Sequence, residues 1–183
     1  MAIWRKVCGI AVLATALATA VPAQATVYRT LEQVEQAGFP EADKFTAVPI
    51  HLTEDQAKAI REASGVRVLE PNPKVWKASK GGKDLGWLIV DQVYGKHEFI
   101  TYATSLSNEG SVRLVEVMDY RETHGGEVRN PAWLQQFIGK VFGDPVALDN
   151  DIQNISGATL SCKHMADGVK RLLAMHHLVL SKQ

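Results

Sequence analysis

A short stretch near the C-terminus, Asp151–Thr159, holds the residues best suited to chemistry. Ser156, Gly157 and Ala158 have almost no side-chain bulk, so a planar ligand could approach the backbone closely. Thr159 opens a helical pattern, where free backbone N–H groups and the positive end of the helix dipole favour an anion. The stretch therefore predicts a phosphate site, and the Thr159 hydroxyl could itself be bonded to the phosphate. Taken alone, however, a Thr at a helix start is usually an N-cap.

Two further segments accompany this stretch, and the three together carry a family resemblance. Ser156–Thr159 resembles the flavin-attachment motif of the FMN-binding domain family, which occurs in flavin-carrying subunits of the sodium-translocating NADH:quinone reductase and of the Rnf complex. Tyr120–Glu127 is similar to that family's Glu-Thr/Ser-x-Gly loop, and Gln136–Lys140 is similar to its Phe-x-Gly-Lys segment. The segments occur in the family's order and span roughly Gly86–Leu173, about half of the chain.

The resemblance implies a cofactor and a maturation reaction. In the family the Thr carries FMN through a phosphoester, which implies covalent FMN on Thr159. A separate flavin transferase would use FAD as the donor, join the FMN phosphate to the Thr159 oxygen and release AMP. The loop Glu122–Gly126 would line the isoalloxazine. From the residue types, His124 could carry a proton coupled to reduction, and Lys140 could neutralise the phosphate or the reduced flavin. The predicted cofactor-binding residues are Thr159, Ser156, Gly157, Ala158, Glu122, Thr123, His124, Gly125, Gly126 and Lys140.

Without the family resemblance, the same residues can also be interpreted as having ordinary structural roles. Without its neighbours, Glu122–Gly126 is a glycine-containing turn and Lys140 is a solvated surface residue. The chain also departs from the family at Gln153, six positions before Thr159, where Asp is usual, and at His124, where relatives often have Pro. The Gln153 substitution bears on recognition by a transferase rather than on flavin binding. The alternative functions are a noncovalent FMN reductase of a quinone or ferric chelate, and a flavin-free binding module of the same fold.

Composition and charge exclude several other classes of protein. With 183 residues and 46% hydrophobic content, the chain can bury the core of one ordinary domain. Loss of Arg5 and Lys6 with a signal peptide would reduce the 20 basic residues to 18, against 20 acidic ones, and this balance does not indicate nucleic-acid binding. Cys162 would then be the only cysteine, which excludes an intramolecular disulfide and a Cys-x-x-Cys metal site. No catalytic residue is predicted, and any redox chemistry would depend on a bound organic cofactor.

The N-terminus predicts export. Met1–Ala25 contains the basic residues Arg5 and Lys6, the apolar run Val7–Ala20 and a small-x-small cleavage site ending at Ala25. This pattern is typical of a secretory signal peptide, although an uncleaved membrane anchor is the alternative. We therefore expect a soluble periplasmic electron carrier that receives electrons from a membrane donor and passes them to an acceptor that the sequence does not identify.

Secondary-structure signals divide the remaining chain into an N-terminal helical and loop support segment, residues 26–84, and an FMN-binding domain core, residues 85–183. In the support segment, Thr30–Ala37 predicts a short helix, and a capping box begins a second helix after Thr53. Glu70–Asp84 is expected to be a loop with a short strand around Val75–Ala78.

The core is predicted to contain three strands and two helices. The strands, Leu85–Val93, His97–Ser105 and Val112–Asp119, are joined by short turns, which implies antiparallel pairing. One helix begins after Asn130, and the last begins near Thr159 and runs to about Leu178. The fold class is therefore α+β: a single domain with a twisted, mostly antiparallel sheet packed by helices. The expected apolar sheet face consists of Trp87, Ile89, Phe99, Tyr102, Val112 and Leu114.

Overall fold

The computed structural model describes residues 26–183, and the predicted signal peptide lies outside these residues. Their framework is one antiparallel sheet of six strands packed by helices, which confirms the α+β class predicted from the sequence. The strands are β1 Thr26–Val27, β2 Lys44–Pro49, β3 Lys74–Lys80, β4 Lys83–Tyr94, β5 Phe99–Ser107 and β6 Val112–Tyr120. Their order in the sheet is β1-β6-β5-β4-β3-β2. The helices are α1 Leu31–Gly38, α2 Glu54–Ser64, α3 Pro131–Leu134 and α4 Thr159–Leu178.

Local signals account for most of the element boundaries. Thr30 and Thr53 each form a capping box with the Gln three residues later. Asn130 accepts a hydrogen bond from the Ala132 N–H at 2.9 Å and so begins α3 with Pro131 in its first turn. The α3 segment is shorter than expected, because the chain continues as a 3₁₀ turn over Gln135–Phe137.

The N-terminal segment contributes more to the sheet than expected. The short strand predicted around Val75–Ala78 is present within β3, but β2 was not predicted. Only Phe45 and Val48 of β2 are partly buried, and its other residues are exposed, so the strand lacks the alternating pattern that reveals a strand in sequence. Its extended conformation depends on pairing with β3 along its whole length.

Two members of the expected apolar sheet face lie elsewhere. Phe99 is 49% exposed and packs edge-on against the Tyr94 ring, with 5.2 Å between ring centroids. Leu114 is only partly buried, because a β-bulge between β5 and β6 shifts the register so that Leu106 pairs with Val112 while Ser105 pairs with Leu114. One extra residue in a strand transfers the following side chains to the opposite face. The buried face that results consists of Trp87, Ile89, Tyr102, Val112, Val115, Val117 and Tyr120.

Helix α4 packs across this buried face and forms the centre of the core. Its predicted apolar positions are all buried: Met165, Val169, Leu172 and Leu173. Arg171 is buried beside them and donates to the Asp91 carboxylate at 2.6 Å, and the Tyr102 hydroxyl donates to the same oxygen at 3.0 Å. Between residues 26 and 183, no helix is both long enough and apolar enough to cross a membrane.

Candidate functional site

The start of helix α4 leaves Thr159 accessible. The N-cap position belongs to Ala158, which offers no side-chain acceptor, and the helix has no side-chain cap. Thr159 is therefore not an N-cap: it is the first helical residue, its side chain is exposed, and its hydroxyl oxygen accepts a hydrogen bond from Asn154 Nδ2 at 3.1 Å. The first backbone N–H groups of a helix have no partner within it, so an anion at this end would meet free donors.

The small residues before Thr159 form an open turn. Gly157 has φ of +86°, a left-handed conformation that strains any residue with a Cβ. Apart from the two chain neighbours of Gly157, no atom of the described residues lies within 4 Å of the position that a Cβ on it would occupy, so the glycine is required by its backbone conformation and not by a lack of space. Ser156 is exposed, whereas Ala158 is buried and donates its N–H to the Ile155 carbonyl at 3.0 Å.

The glycine loop after β6 lies directly against this turn. Gly125 has φ of +80°, and a Cβ built on it would stand 3.0 Å from both Ser161 Oγ and Tyr120 Oη, and 3.6 Å from the Ala158 Cα. Only a glycine permits this approach, and it brings the Glu122–Gly126 loop to the first turn of α4. The two motifs that the sequence singles out are therefore neighbours in space.

Between them lies an open cleft of about 590 Å³, which we call the glycine cleft. This volume is within the range of small-molecule and cofactor sites, and a glycine-rich wall exposes backbone donors and acceptors to a planar ligand. The size and lining of this cleft therefore suit a planar cofactor such as a flavin. The lining residues are Thr123, His124, Gly125, Gly126, Glu127, Arg129 and Gly157.

Glu122 does not line the glycine cleft. Its carboxylate accepts hydrogen bonds from the backbone N–H groups of Lys96, His97 and Glu98, in the turn between β4 and β5. Burial works against ionisation here, but these three bonds outweigh it and lower the pKa of Glu122. In this geometry Glu122 joins two loops, and its contact with the isoalloxazine stays a prediction.

Lys140 likewise forms its ion pair outside the glycine cleft. Its ammonium lies 2.7 Å from the Asp151 carboxylate, which in turn accepts from the backbone N–H groups of Val146 and Ala147 at 3.1 and 2.9 Å. Burial opposes ionisation of Asp151, yet these partners lower its pKa. Lys140 thus braces residues 140–151 and is not among the residues that line the glycine cleft.

Gln153, the residue that departs from the family motif, is fixed by two hydrogen bonds of its backbone groups. Its carbonyl accepts from Trp133 Nε1 at 2.7 Å, and its N–H donates to Gln136 Oε1 at 2.7 Å. The Gln153 side chain is exposed, so a protein that approached the Thr159 motif could contact it. These bonds clamp the upstream part of the motif to α3 and the turn that follows it.

Arg129 also lines the glycine cleft, although no sequence pattern predicts this position. A 3₁₀ turn over Gly126–Arg129 folds its side chain back, so that Nε donates to the Gly126 carbonyl at 2.9 Å. The guanidinium carbon stands 4.4 Å from the Tyr28 ring centroid and 5.5 Å from that of Tyr120. In sequence it resembles a solvated surface arginine, and no local signal indicates the turn that places it here.

The remaining candidates for chemistry in the described residues are metal-ligating side chains and the thiol of Cys162. Over residues 26–183, no group of three or more His, Cys, Asp or Glu side chains could hold a metal ion. Cys162 is buried in α4, and burial raises the pKa of its thiol, which disfavours the reactive thiolate.

Comparison with known proteins agrees with the resemblance seen in the sequence. The model of the FMN-binding domain family matches residues 95–174. Among solved structures, the crystal structure of NqrC from Shewanella oneidensis is similar, with 19% sequence identity and a TM-score of 0.46 over 80% of this chain and 70% of that one. No curated protein matches the chain. The chain therefore carries an FMN-binding domain over residues 95–174, and this domain contains both the glycine loop and Thr159.

Proposed function

We propose that this protein is a soluble periplasmic electron carrier whose FMN is attached through a phosphoester to the Thr159 hydroxyl oxygen. The observation that carries the proposal is the position of Thr159. Thr159 is exposed at an uncapped helix start, two residues beyond Gly157 of the glycine cleft, within residues 95–174 that match the FMN-binding domain family.

The local geometry suits attachment by a transferase that uses FAD. The Thr159 oxygen would form the new bond to the FMN phosphorus while the anhydride bond of FAD breaks and AMP leaves. The hydroxyl proton would pass to a base that the transferase supplies. The chain itself provides an accessible hydroxyl that Asn154 orients, small neighbours at Ser156 and Gly157, and the free N–H groups of the α4 start to meet the phosphate charge.

FMN would supply one- and two-electron chemistry, and the protein would position it. The glycine cleft is open, so the edge of a bound ring would be reachable by a membrane electron donor and by the electron acceptor. Covalent attachment suits a periplasmic protein, because a tethered cofactor has a high effective concentration and is not lost by dilution. The export signal in Met1–Ala25 supports this location, and N-terminal sequencing of periplasmic protein that begins at Thr26 would establish it.

The test of covalent attachment is the intact mass of protein co-expressed with a periplasmic flavin transferase. We expect a gain of one FMN less water, located on Thr159 by peptide mapping, and flavin fluorescence that survives denaturing electrophoresis. Thr159→Ala should abolish both signals. Ser156→Ala, which removes the other exposed hydroxyl of the motif, should keep them. A flavin-labelled Thr159→Ala band after denaturation would refute the assignment.

A noncovalent FMN reductase of a quinone or ferric chelate is the second candidate. The exposed Gln153 side chain favours it, because Asp usually occupies this position in the transferase recognition motif that the sequence resembles. Yellow protein that loses its colour on denaturation, with steady turnover by the purified protein alone, would support this function. Colourless protein from cells with an active transferase would instead indicate a flavin-free module.

A further inference from the structure

The glycine cleft contains a cation that the proposed attachment does not use. Among the residues that line it, Arg129 is the only Arg or Lys, and the other charged lining residue is Glu127. Lys140, the cation expected from sequence, is neutralised by Asp151 at 2.7 Å and faces a different segment. The positive charge available to a ligand in the glycine cleft is therefore that of Arg129.

The guanidinium of Arg129 has unused donors. None of the ion pairs formed within residues 26–183 includes Arg129. Its Nε is used by the Gly126 carbonyl, and no other hydrogen bond to protein is formed by its side chain within this part of the chain. The two terminal nitrogens remain available, and together they present a planar set of N–H groups to an oxygen or ring-nitrogen acceptor.

Aromatic contacts hold this charge in place. The guanidinium packs on the Tyr28 ring at 4.4 Å and reaches the Tyr120 ring at 5.5 Å. Tyr120 is itself anchored, because its hydroxyl donates to the His124 carbonyl within the glycine loop. A cation fixed by rings and a backbone bond loses little further entropy when it meets a ligand, so its charge is preorganised.

We propose that Arg129 stabilises the negative charge of reduced flavin in the glycine cleft and so raises the flavin reduction potential; this inference rests on the proposed function. Reduction of FMN by two electrons and one proton adds one negative charge to the ring, around N1 and the C2 carbonyl. A fixed cation beside that charge favours the reduced form over the oxidised one. The phosphate has its own donors at the start of α4, which leaves Arg129 for the ring.

The test compares midpoint potentials of flavin-loaded variants, measured by reductive titration with dithionite in the presence of redox dyes. Arg129→Gln should shift the potential to more negative values by about 30 mV or more, which corresponds to a tenfold change in the equilibrium constant of a two-electron couple. Arg129→Lys, which keeps the charge, should shift it less. The control Arg121→Gln removes an exposed arginine of the neighbouring segment, paired with Asp119 at 2.9 Å, and should leave the potential unchanged.

Flavin content, measured first for every variant, separates the possible failures. Wild-type protein that holds no FMN would overturn both the proposed function and this inference. A fully loaded Arg129→Gln protein with the wild-type potential would overturn the role of Arg129 alone, as would equal shifts in Arg129→Gln and Arg129→Lys. Loss of FMN from Arg129→Gln but not from Arg129→Lys would mean that the cation holds the phosphate, which also contradicts the inference. Arg129→Met keeps an apolar stem between the two rings and replaces the Gln variant if that one is unstable.

Discussion

The contact between the glycine loop and helix α4 can be tested by adding a single methyl group. Gly125→Ala places a Cβ 3.0 Å from Ser161 Oγ and 3.0 Å from Tyr120 Oη, at a residue with φ of +80°. The left-handed conformation costs a non-glycine residue about 1–2 kcal/mol. Both close contacts require neighbouring atoms to move, and overpacking of this kind costs about 1–3 kcal/mol. We therefore expect Gly125→Ala to lower the free energy of unfolding by about 2–5 kcal/mol.

Gly157→Ala is the matched control for this prediction. Its φ of +86° imposes a similar backbone cost, but among the described residues only its chain neighbours lie within 4 Å of the added Cβ. Its expected loss is therefore the backbone cost alone, about 1–2 kcal/mol. The difference between the two variants isolates the packing of the loop on α4.

Urea denaturation of flavin-free protein, followed by tryptophan fluorescence, measures both losses. The comparison needs equal m-values, since a change in m would indicate altered compactness rather than stability. Adding Ser161→Ala to Gly125→Ala removes one of the two contacting oxygens and should recover part of the difference. A Gly125→Ala protein as stable as Gly157→Ala would refute the close packing of the loop on the helix, and with it the geometry of the glycine cleft.

Two further predictions concern Lys140 and Glu122, which were expected at the cofactor site but do not line the glycine cleft. Lys140→Met should destabilise the fold by about 1 kcal/mol, because its partner Asp151 is only partly buried, yet leave flavin loading unchanged; loss of flavin by mass measurement would contradict its placement. Glu122 has a pKa lowered in the folded state, so its stabilising effect is present above the ordinary value of 4.5 and is lost as pH falls towards the folded value. Glu122→Gln should therefore be less stable than wild type at neutral pH and show a flatter loss of stability in acid; parallel pH curves would refute this.

The features that could be predicted from sequence depend on residues close together in the chain. The Thr53 capping box and the Asn130 cap each involve a side chain and a backbone group two or three positions away, so they were predicted and are confirmed. The repeat of apolar residues in Thr159–Leu178 likewise predicts α4, because side chains three and four apart share one helix face. The strands β4 to β6 follow from short turns that force antiparallel neighbours.

The features that the sequence does not predict depend on residues that are far apart in the chain. The extended conformation of β2 comes from its pairing with β3, which lies far along the chain beyond helix α2. The β-bulge opposite Leu106 places the Leu114 side chain on the opposite face of the sheet, and no residue type in that strand predicts the bulge. A single-sequence pattern carries no information about which strand pairs with which, or in what register.

The functional site shows the same division. Residue types and order carried the resemblance by which the Ser156–Thr159 turn and the Glu122–Gly126 loop were assigned to an FMN-binding domain, and the family model over residues 95–174 agrees with it. Only the tertiary structure decided which charged side chains reach the cleft, because a charge is neutralised by whichever opposite charge or backbone group the fold brings within hydrogen-bond distance. Glu122 and Lys140 have such partners, the backbone of the β4–β5 turn and Asp151. Arg129 lacks a carboxylate partner within the described residues and is held by two aromatic rings, so its charge remains directed at the cleft.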